Sequence, residues 1–412
     1  MKFNRWFVVF GALLIQASLG AIYIYSVFKP ALKNHFPDWL ATDLALPAQI
    51  VLAFFALSMI VSGRIQDKIG PKKTSIIGAI FLFSGMFIAA KAQTLAQFVF
   101  GFGILGGIGI GAAYVCPIAT CVKWFPDKRG FITGLAVAGF GAGGLAFAPL
   151  ASWLIANVGI MSALFYLGLI YFAAITIGAQ FLRIPAADYC PAGWMAASSA
   201  INQKIDFSTK EIIKNRKFWI LWITYFIGCT AGLMVIMNLM NIWESKASIK
   251  LAQNADLILR NGLTDILAQG AFLVMAVSVF NSLGRIIWGR ISDKKGREKT
   301  LMAIFALCGL ALSLLGSLNN IWSFGVAAAI IGFCFGGFLA LYPAITADYF
   351  GAKNMGANYG LMFSAYGAGG LLGPWLAPKL IVNDSYANSF ILAAILCLAA
   401  VFLVLQLKTK PR

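Results

Sequence analysis

The chain has 412 residues, of which 60% are hydrophobic and only 11% are charged. Water-soluble domains carry about 25% charged residues, so this composition excludes an ordinary soluble protein. The formal net charge of +18 would suggest nucleic-acid binding in a soluble chain, but here we interpret it as a signal of membrane topology. At about 20 apolar residues per membrane-spanning helix, the length accommodates about twelve spans.

Hydropathy predicts an all-α integral membrane protein with twelve transmembrane helices. The long unbroken apolar runs differ from the short alternating segments of a membrane β-barrel. The first run is too long for a secretory signal peptide and lacks a small-residue cleavage site. The predicted spans are residues 6–28, 45–62, 74–91, 94–119, 131–153, 160–182, 217–240, 264–288, 300–317, 321–347, 357–378 and 387–407.

The distribution of basic residues predicts the orientation. Twelve spans place both termini on one side, and the segments on that side contain 24 of the 32 Lys and Arg residues. Positive loops face the cytoplasm, so we expect both termini to be cytoplasmic in a multi-pass protein of a bacterial inner membrane.

An internal repeat has a period of 226 residues. Residues 63–73 (GRIQDKIGPKK) recur as residues 289–299 (GRISDKKGREK), and residues 141–145 (GAGGL) recur as residues 367–371. Two matches at one spacing indicate a duplicated unit rather than chance similarity.

The repeat predicts two six-helix halves, residues 1–182 and 217–412, joined by a cytoplasmic connector at residues 183–216. The cleft between two such halves is the expected substrate path.

The sequence contains little that indicates a catalytic site or a metal site. The only histidine, His35, lies in a predicted outer loop, and Cys116 and Cys121 do not form a CxxC pair. We therefore expect no catalytic cluster, no metal site and no cofactor.

The repeated loop resembles the signature loop of the major facilitator superfamily. Within that superfamily, residues 124–130 (WFPDKRG), 280–285 (FNSLGR) and 358–360 (NYG) resemble the oxalate/formate antiporter family, which is related to monocarboxylate transporters. The resemblance covers essentially the whole chain and implies a carrier of small carboxylates with the twelve-helix major facilitator fold.

Arg285 is the strongest candidate for substrate binding. It lies inside the eighth predicted span, on one helix face with Ser278 and Asn281. A charge there costs about 2.5–3.5 kcal/mol on insertion scales, so it normally faces a cavity or a partner. The interiors of the predicted spans contain no acidic residue, whereas a carboxylate would match the guanidinium fork. The alternative is that Arg285 snorkels to the cytoplasmic surface.

The resemblance implies further site residues. Those expected to bind substrate are Tyr23, Tyr114, Asn238, Asn281, Phe335, Tyr342, Phe363 and Tyr366. In the two signature loops, ion pairs could hold one conformation and break in another, with a purely structural turn as the alternative. The gating candidates are Arg64, Asp67, Lys72, Lys73, Arg290, Asp293 and Arg297.

Two departures from the family pattern bear on substrate and coupling. The oxalate carrier that the chain resembles has a second cation, a Lys, where this chain has Tyr366, so a monocarboxylate such as lactate, pyruvate or formate fits better than a dianion. Proton-linked monocarboxylate transporters have an Asp where this chain has Asn281, and an amide cannot titrate. The sequence therefore favours exchange or facilitated anion movement over proton coupling.

Three alternatives remain at this stage: an oxalate or dicarboxylate/formate antiporter, proton symport through another group, and a non-transporting carboxylate sensor with a carrier fold. We expect the small carboxylate and the lipid bilayer to be the partners, with no nucleic acid, and the chain to be a monomer.

Overall fold

The protein is described from a computed structural model that covers residues 4–20, 24–186, 189–191, 206–253, 261–382 and 385–407. Nearly all of these residues lie in α-helices. In the first part of the chain these are α1 (Trp6–Leu19), α2 (Tyr25–His35), α3 (Ala41–Ile69), α4 (Pro71–Ala89), α5 (Leu95–Phe98), α6 (Gly106–Trp124) and α7 (Arg129–Gln180). A π-helical segment, Val99–Leu105, joins α5 to α6.

The second part continues with a short connector helix and seven further helices. They are α8 (Thr209–Lys214), α9 (Arg216–Ile236), α10 (Leu239–Gln253), α11 (Asn261–Lys295), α12 (Arg297–Leu315), α13 (Ile321–Phe350), α14 (Met355–Lys379) and α15 (Ala387–Leu405).

Nine helices in the described part of the chain are long and apolar enough to cross a membrane. One of them, α7, is broken at Gly159, where φ is +77°, so its 52 residues supply two of the predicted spans. Each of the twelve predicted windows overlaps a described helix. The all-α membrane fold predicted from hydropathy is confirmed.

Backbone geometry repeats with the sequence. Gly70 ends α3 with φ of +91°, and Gly296, 226 residues later, ends α11 with φ of +90°. Glycine adopts this left-handed conformation at little cost, so each signature loop can turn within one residue. The next helix begins immediately afterwards, at Pro71 in the first case and Arg297 in the second.

The contacts divide the chain into two compact units. The first, which we call the N-terminal unit, contains Met1–Asn215 and Pro343–Gly367; the second, the C-terminal unit, contains Arg216–Tyr342 and Ala368–Arg412. The boundaries pass through α13 and α14. The predicted division at residues 182 and 217 stays a prediction about the two halves.

In the N-terminal unit, α7 packs against α1 and α4, while α6 packs against α3 and α4. In the C-terminal unit, α15 packs against α9 and α12. Both units bury small and aromatic side chains, which suits membrane helices whose backbones approach closely.

The α11–α13 crossing in the C-terminal unit is especially close. A Cβ atom at Gly336 of α13 would lie 2.0 Å from the carbonyl oxygen of Asn281, and one at Gly284 of α11 would lie 2.1 Å from that of Phe333. Only glycine fits at both positions, because each missing side chain is replaced by the backbone of the other helix. This close contact fixes the position of the α11 backbone at Gly284 relative to α13, and therefore that of Arg285, the next residue.

We predict that Gly336→Ala lowers the melting temperature of the detergent-purified protein, because its methyl group must displace backbone atoms at a cost of about 1–3 kcal/mol. Gly106→Ala is the matched control: its Cβ would meet nothing nearer than 3.7 Å, and alanine has the higher helix propensity. Equal melting temperatures for the two variants would contradict the close crossing.

Candidate functional site

Arg285 lies on the buried face of α11. Its exposed fraction is 0%, whereas Phe280, Leu283 and Ile287 on the same helix expose 41–44% of their surface. A snorkelling arginine would expose its guanidinium at the helix end. The burial of Arg285 by protein therefore argues for an internal role.

Asn281 orients the arginine. Its Oδ1 accepts a hydrogen bond from Nε of Arg285 at 3.1 Å, one helical turn away. The amide is neutral, so this contact fixes the direction of the guanidinium and leaves its positive charge in place. Ser278, on the same face, donates instead to the carbonyl of Val274 in its own helix.

Tyr342 of α13 belongs to a second polar group in the C-terminal unit. Its hydroxyl donates to Oγ1 of Thr224 at 2.8 Å, and its ring stacks on Tyr225 with centroids 4.0 Å apart. Thr224 and Tyr225 were not expected as site residues, because no spacing or motif distinguishes them within the apolar sequence of α9. The hydrogen bond holds the Tyr342 hydroxyl against α9.

Phe335 and Asn238 also lie in the C-terminal unit and are buried. The ring of Phe335 packs so closely on α9 that a Cβ at Gly232 would lie 2.4 Å from it. Nδ2 of Asn238 donates to the carbonyl of Met234 at 2.9 Å. Both contacts suit helix packing, and the proposed ligand role of each residue stays a prediction.

An aromatic cluster in the N-terminal unit brings together three predicted site residues. Tyr114 of α6 packs against Phe363 of α14 with ring centroids 5.3 Å apart, and Phe363 stacks on Tyr366 at 4.5 Å. Phe55 of α3 contacts Tyr114 and Phe363, each at 5.0 Å. Phe55 was not predicted, since nothing in its sequence context separates it from other buried phenylalanines. The remaining predicted residue, Tyr23, lies outside the described residues.

Asp67 is the gating candidate with the most extensive contacts. Its carboxylate accepts hydrogen bonds from the backbone N–H groups of Gly356 at 3.2 Å and Ala357 at 2.8 Å. These amides belong to the first turn of α14, where helix N–H groups lack partners within the helix and a negative charge is favourable. Lys123 lies 3.8 Å from the same carboxylate. Asp67 therefore caps α14 from α3.

The second signature loop forms a different contact. Asp293 pairs with Arg297 at 2.7 Å, four residues later and across the turn, and Arg297 also donates to the hydroxyl of Ser292. The other gating candidates, Arg64, Lys72, Lys73 and Arg290, are exposed. A further ion pair in the N-terminal unit joins Arg129 to Asp348 at 2.7 Å.

Among the described residues, no group of three or more His, Cys, Asp or Glu side chains is arranged to hold a metal ion. The arrangement offers a buried cation, buried hydroxyl and aromatic groups, and charged contacts at helix ends. Such groups can bind an organic anion and change partners during a conformational cycle.

Comparisons with known proteins agree with the predicted resemblance. The chain is 27% identical over 406 residues to the oxalate:formate antiporter of Oxalobacter formigenes, covering 95% of this chain and 88% of the relative. It is 27% identical over 419 residues to the apicoplast pyruvate carrier 1 of Toxoplasma gondii, covering 87% and 74%. These similarities confirm the predicted relationship to oxalate/formate antiporters.

The fold is also similar to that of a solved carrier. The crystal structure of the human organic anion transporter MFSD10 matches with a TM-score of 0.71 and 14% identity, covering 98% of this chain and 100% of that one. The family model for the Major Facilitator Superfamily matches residues 5–255 and 257–412. The chain is therefore a multi-pass membrane carrier rather than an enzyme, and it belongs to the Major Facilitator Superfamily.

Proposed function

We propose that this protein is a secondary active transporter of small carboxylates that binds its anion through Arg285 and works by alternating access. The observation that carries the proposal is the complete burial of Arg285 on the protein-facing side of an apolar helix. A cation in such surroundings is costly, and an anionic ligand that reaches it lowers that cost.

The chemistry of arginine favours a carboxylate over other anions of similar size. The planar guanidinium presents parallel N–H groups that match both oxygens of a carboxylate. Because Nε is directed at Asn281, the guanidinium plane is fixed before the ligand arrives. Prior orientation reduces the entropy lost on binding.

A monocarboxylate such as lactate, pyruvate or formate is the favoured substrate. Arg285 supplies one positive charge, which compensates a monoanion and leaves a dianion half compensated. The pyruvate carrier among the relatives agrees with this choice. The oxalate:formate antiporter supports the alternative, a dicarboxylate exchanged for formate.

Exchange is the favoured mode of coupling. Asn281 cannot bind or release a proton, so the Arg285–Asn281 pair keeps its positive charge throughout the cycle. Closure with a carboxylate bound places an anion beside this buried cation, whereas closure without one does not. This difference favours return of the carrier with an anion bound.

We propose that the carrier is a monomer in a bacterial inner membrane. The distribution of basic residues supports cytoplasmic termini, and the bacterial relative supports the inner membrane. The more distant alternative is a carboxylate sensor that has kept the carrier fold. Transport by the purified protein in liposomes separates the two.

We predict that Arg285→Ala weakens carboxylate binding at least about 30-fold, because truncating one member of a buried charge pair costs about 2 kcal/mol or more. The measurement is thermal stabilisation of the purified protein by lactate, pyruvate, formate, acetate, oxalate and malonate, since a ligand that binds only the folded state raises the melting temperature. Lys299→Ala, at an exposed cation of α12, is the control and should bind normally.

Stabilisation that persists in Arg285→Ala would remove this residue from the site. Stabilisation by amines or sugars alone would leave the family assignment intact and contradict the carboxylate proposal.

We predict that Tyr366→Lys raises affinity for dianions relative to monoanions by at least about tenfold, because it adds a second cation at the position implied by the family pattern. The measurement is the ratio of oxalate to lactate dissociation constants. Tyr366→Gln, which is polar and uncharged, is the control. An unchanged ratio in Tyr366→Lys would refute the selectivity argument.

We predict that internal carboxylate accelerates uptake of labelled carboxylate into proteoliposomes at least about tenfold over empty vesicles. Vesicles containing Arg285→Ala give the background rate. Uptake that depends strictly on an inward proton gradient and gains nothing from internal carboxylate would replace exchange by proton symport.

A further inference from the structure

The connector reaches the end of α13 and the start of α14 within the N-terminal unit. The backbone N–H of Phe207 donates to the carbonyl of Phe350, the last residue of α13, at 3.0 Å. The carbonyl of Phe207 accepts from the side-chain amides of Asn354 at 3.1 Å and Asn358 at 2.9 Å. Both backbone groups of a single connector residue are thus used to join two helices.

Neighbouring connector residues extend this contact. Oδ1 of Asp206 accepts from the backbone N–H of Lys353 at 3.1 Å, and the hydroxyl of Thr209 lies 3.5 Å from Oδ1 of Asn358. The rings of Phe207 and Phe350 meet edge to face at 5.9 Å. We call residues 206–209 the clasp.

Asn358 is the residue of α14 on which the clasp depends. It is 0% exposed, and its amide nitrogen and oxygen both face the clasp. A buried amide is stabilised only when its donors and acceptors are matched, so opening the clasp would leave Asn358 to find new partners.

A capping box anchors the clasp to the rest of the connector. Oε2 of Glu211 accepts from the backbone N–H of Ser208 at 2.6 Å and from its hydroxyl at 2.7 Å, at the start of α8. These hydrogen bonds hold the pKa of the Glu211 carboxyl below its usual range. The carboxylate therefore stays an acceptor at neutral pH, and α8 begins directly after the clasp.

The first turn of α14 is thus held from two directions. Asp67 of α3 binds the N–H groups of Gly356 and Ala357, while the clasp binds Lys353, Asn354 and Asn358. Both sets of bonds converge on six consecutive residues, so a movement of this turn away from Asp67 also loads the clasp unless residues 206–209 follow it.

We propose that the clasp holds the cytoplasmic end of α14 in place, that it opens in every transport cycle, and that Asn358 and Phe207 are the positioning residues through which it acts. The connector then controls the turnover rate and is more than a tether between two halves. This inference rests on the alternating access of the proposed function, and it is independent of which substrate is carried.

The clasp can be closed covalently and reversibly. In a Cys190→Ser background, which removes the exposed natural thiol, Asp206→Cys/Lys353→Cys is treated with a short bis-methanethiosulfonate reagent. We expect the two cysteines to be cross-linked, exchange in proteoliposomes to fall at least about tenfold, and a reductant to restore it. The two single-cysteine variants, treated identically, give the reference rates without a cross-link.

Absence of the cross-link would refute the contact itself. Cross-linking with unchanged exchange would show that the clasp stays closed during transport and would overturn the proposal.

A second measurement needs no substrate. Hydrogen–deuterium exchange of the amides in residues 351–358 should become on the order of tenfold faster in Asn358→Leu, which keeps the volume and removes the hydrogen bonds, and slower in the cross-linked protein. The control is Asn157→Leu, because among the described residues the Asn157 amide donates within α7, to Trp153 at 2.7 Å.

Unchanged amide exchange in both proteins would overturn the proposal even if no transported acid had been identified. Conversely, faster amide exchange in Asn358→Leu together with no carboxylate transport would support the clasp and count against the proposed substrate class.

Discussion

The positive charge of Arg285, buried inside a membrane helix, is the constraint on which the rest of the C-terminal unit depends. It requires a protein-facing position, and the exposed apolar residues of α11 lie on the opposite side. It also requires orientation, which Asn281 supplies without neutralising the charge. The glycine crossing with α13 then encloses the α11 backbone at this level. In the proposed function, a carboxylate binds to this charge.

The two signature loops show how one repeated sequence can serve two kinds of contact. Asp67 and Asp293 occupy equivalent positions 226 residues apart, and Gly70 and Gly296 share a conformation. Four residues after Asp67 the chain has Pro71, whereas four residues after Asp293 it has Arg297. Asp293 can therefore pair within its own loop, and Asp67 pairs with Lys123 and the first amides of α14.

The sequence predicted the helices well because the signal was long and local. Hydropathy located every span to within a few residues where an apolar run ends in charges, as at residues 321–347 and 387–407. It did less well at helix ends that extend beyond the apolar run. The span predicted at 45–62 continues as helix to Ile69, because its last two turns are polar but still helix-forming.

The window predicted at 6–28 overlaps two described helices, α1 (Trp6–Leu19) and α2, which begins at Tyr25 and continues beyond the window to His35.

The residues of the candidate site also differ in whether the sequence alone could predict them. Arg285 could be predicted because the sequence itself shows a charged residue within an apolar run. Phe55, Thr224 and the clasp could not, since their roles arise from contacts between residues about 59 to 308 positions apart in the chain.

In the N-terminal unit, helix α14 carries both the contacts at its first turn and two residues of the aromatic cluster. Its first turn is held by Asp67 and the clasp, and Phe363 and Tyr366, which belong to the aromatic cluster, follow in the same unbroken helix. Ala357 and Phe363 are separated by about 9 Å along the helix axis at 1.5 Å per residue. A rigid helix that shifts along its axis carries both ends by the same distance. In the proposed alternating access, an axial shift of α14 away from Asp67 would therefore also change the aromatic contacts with Tyr114 and Phe55.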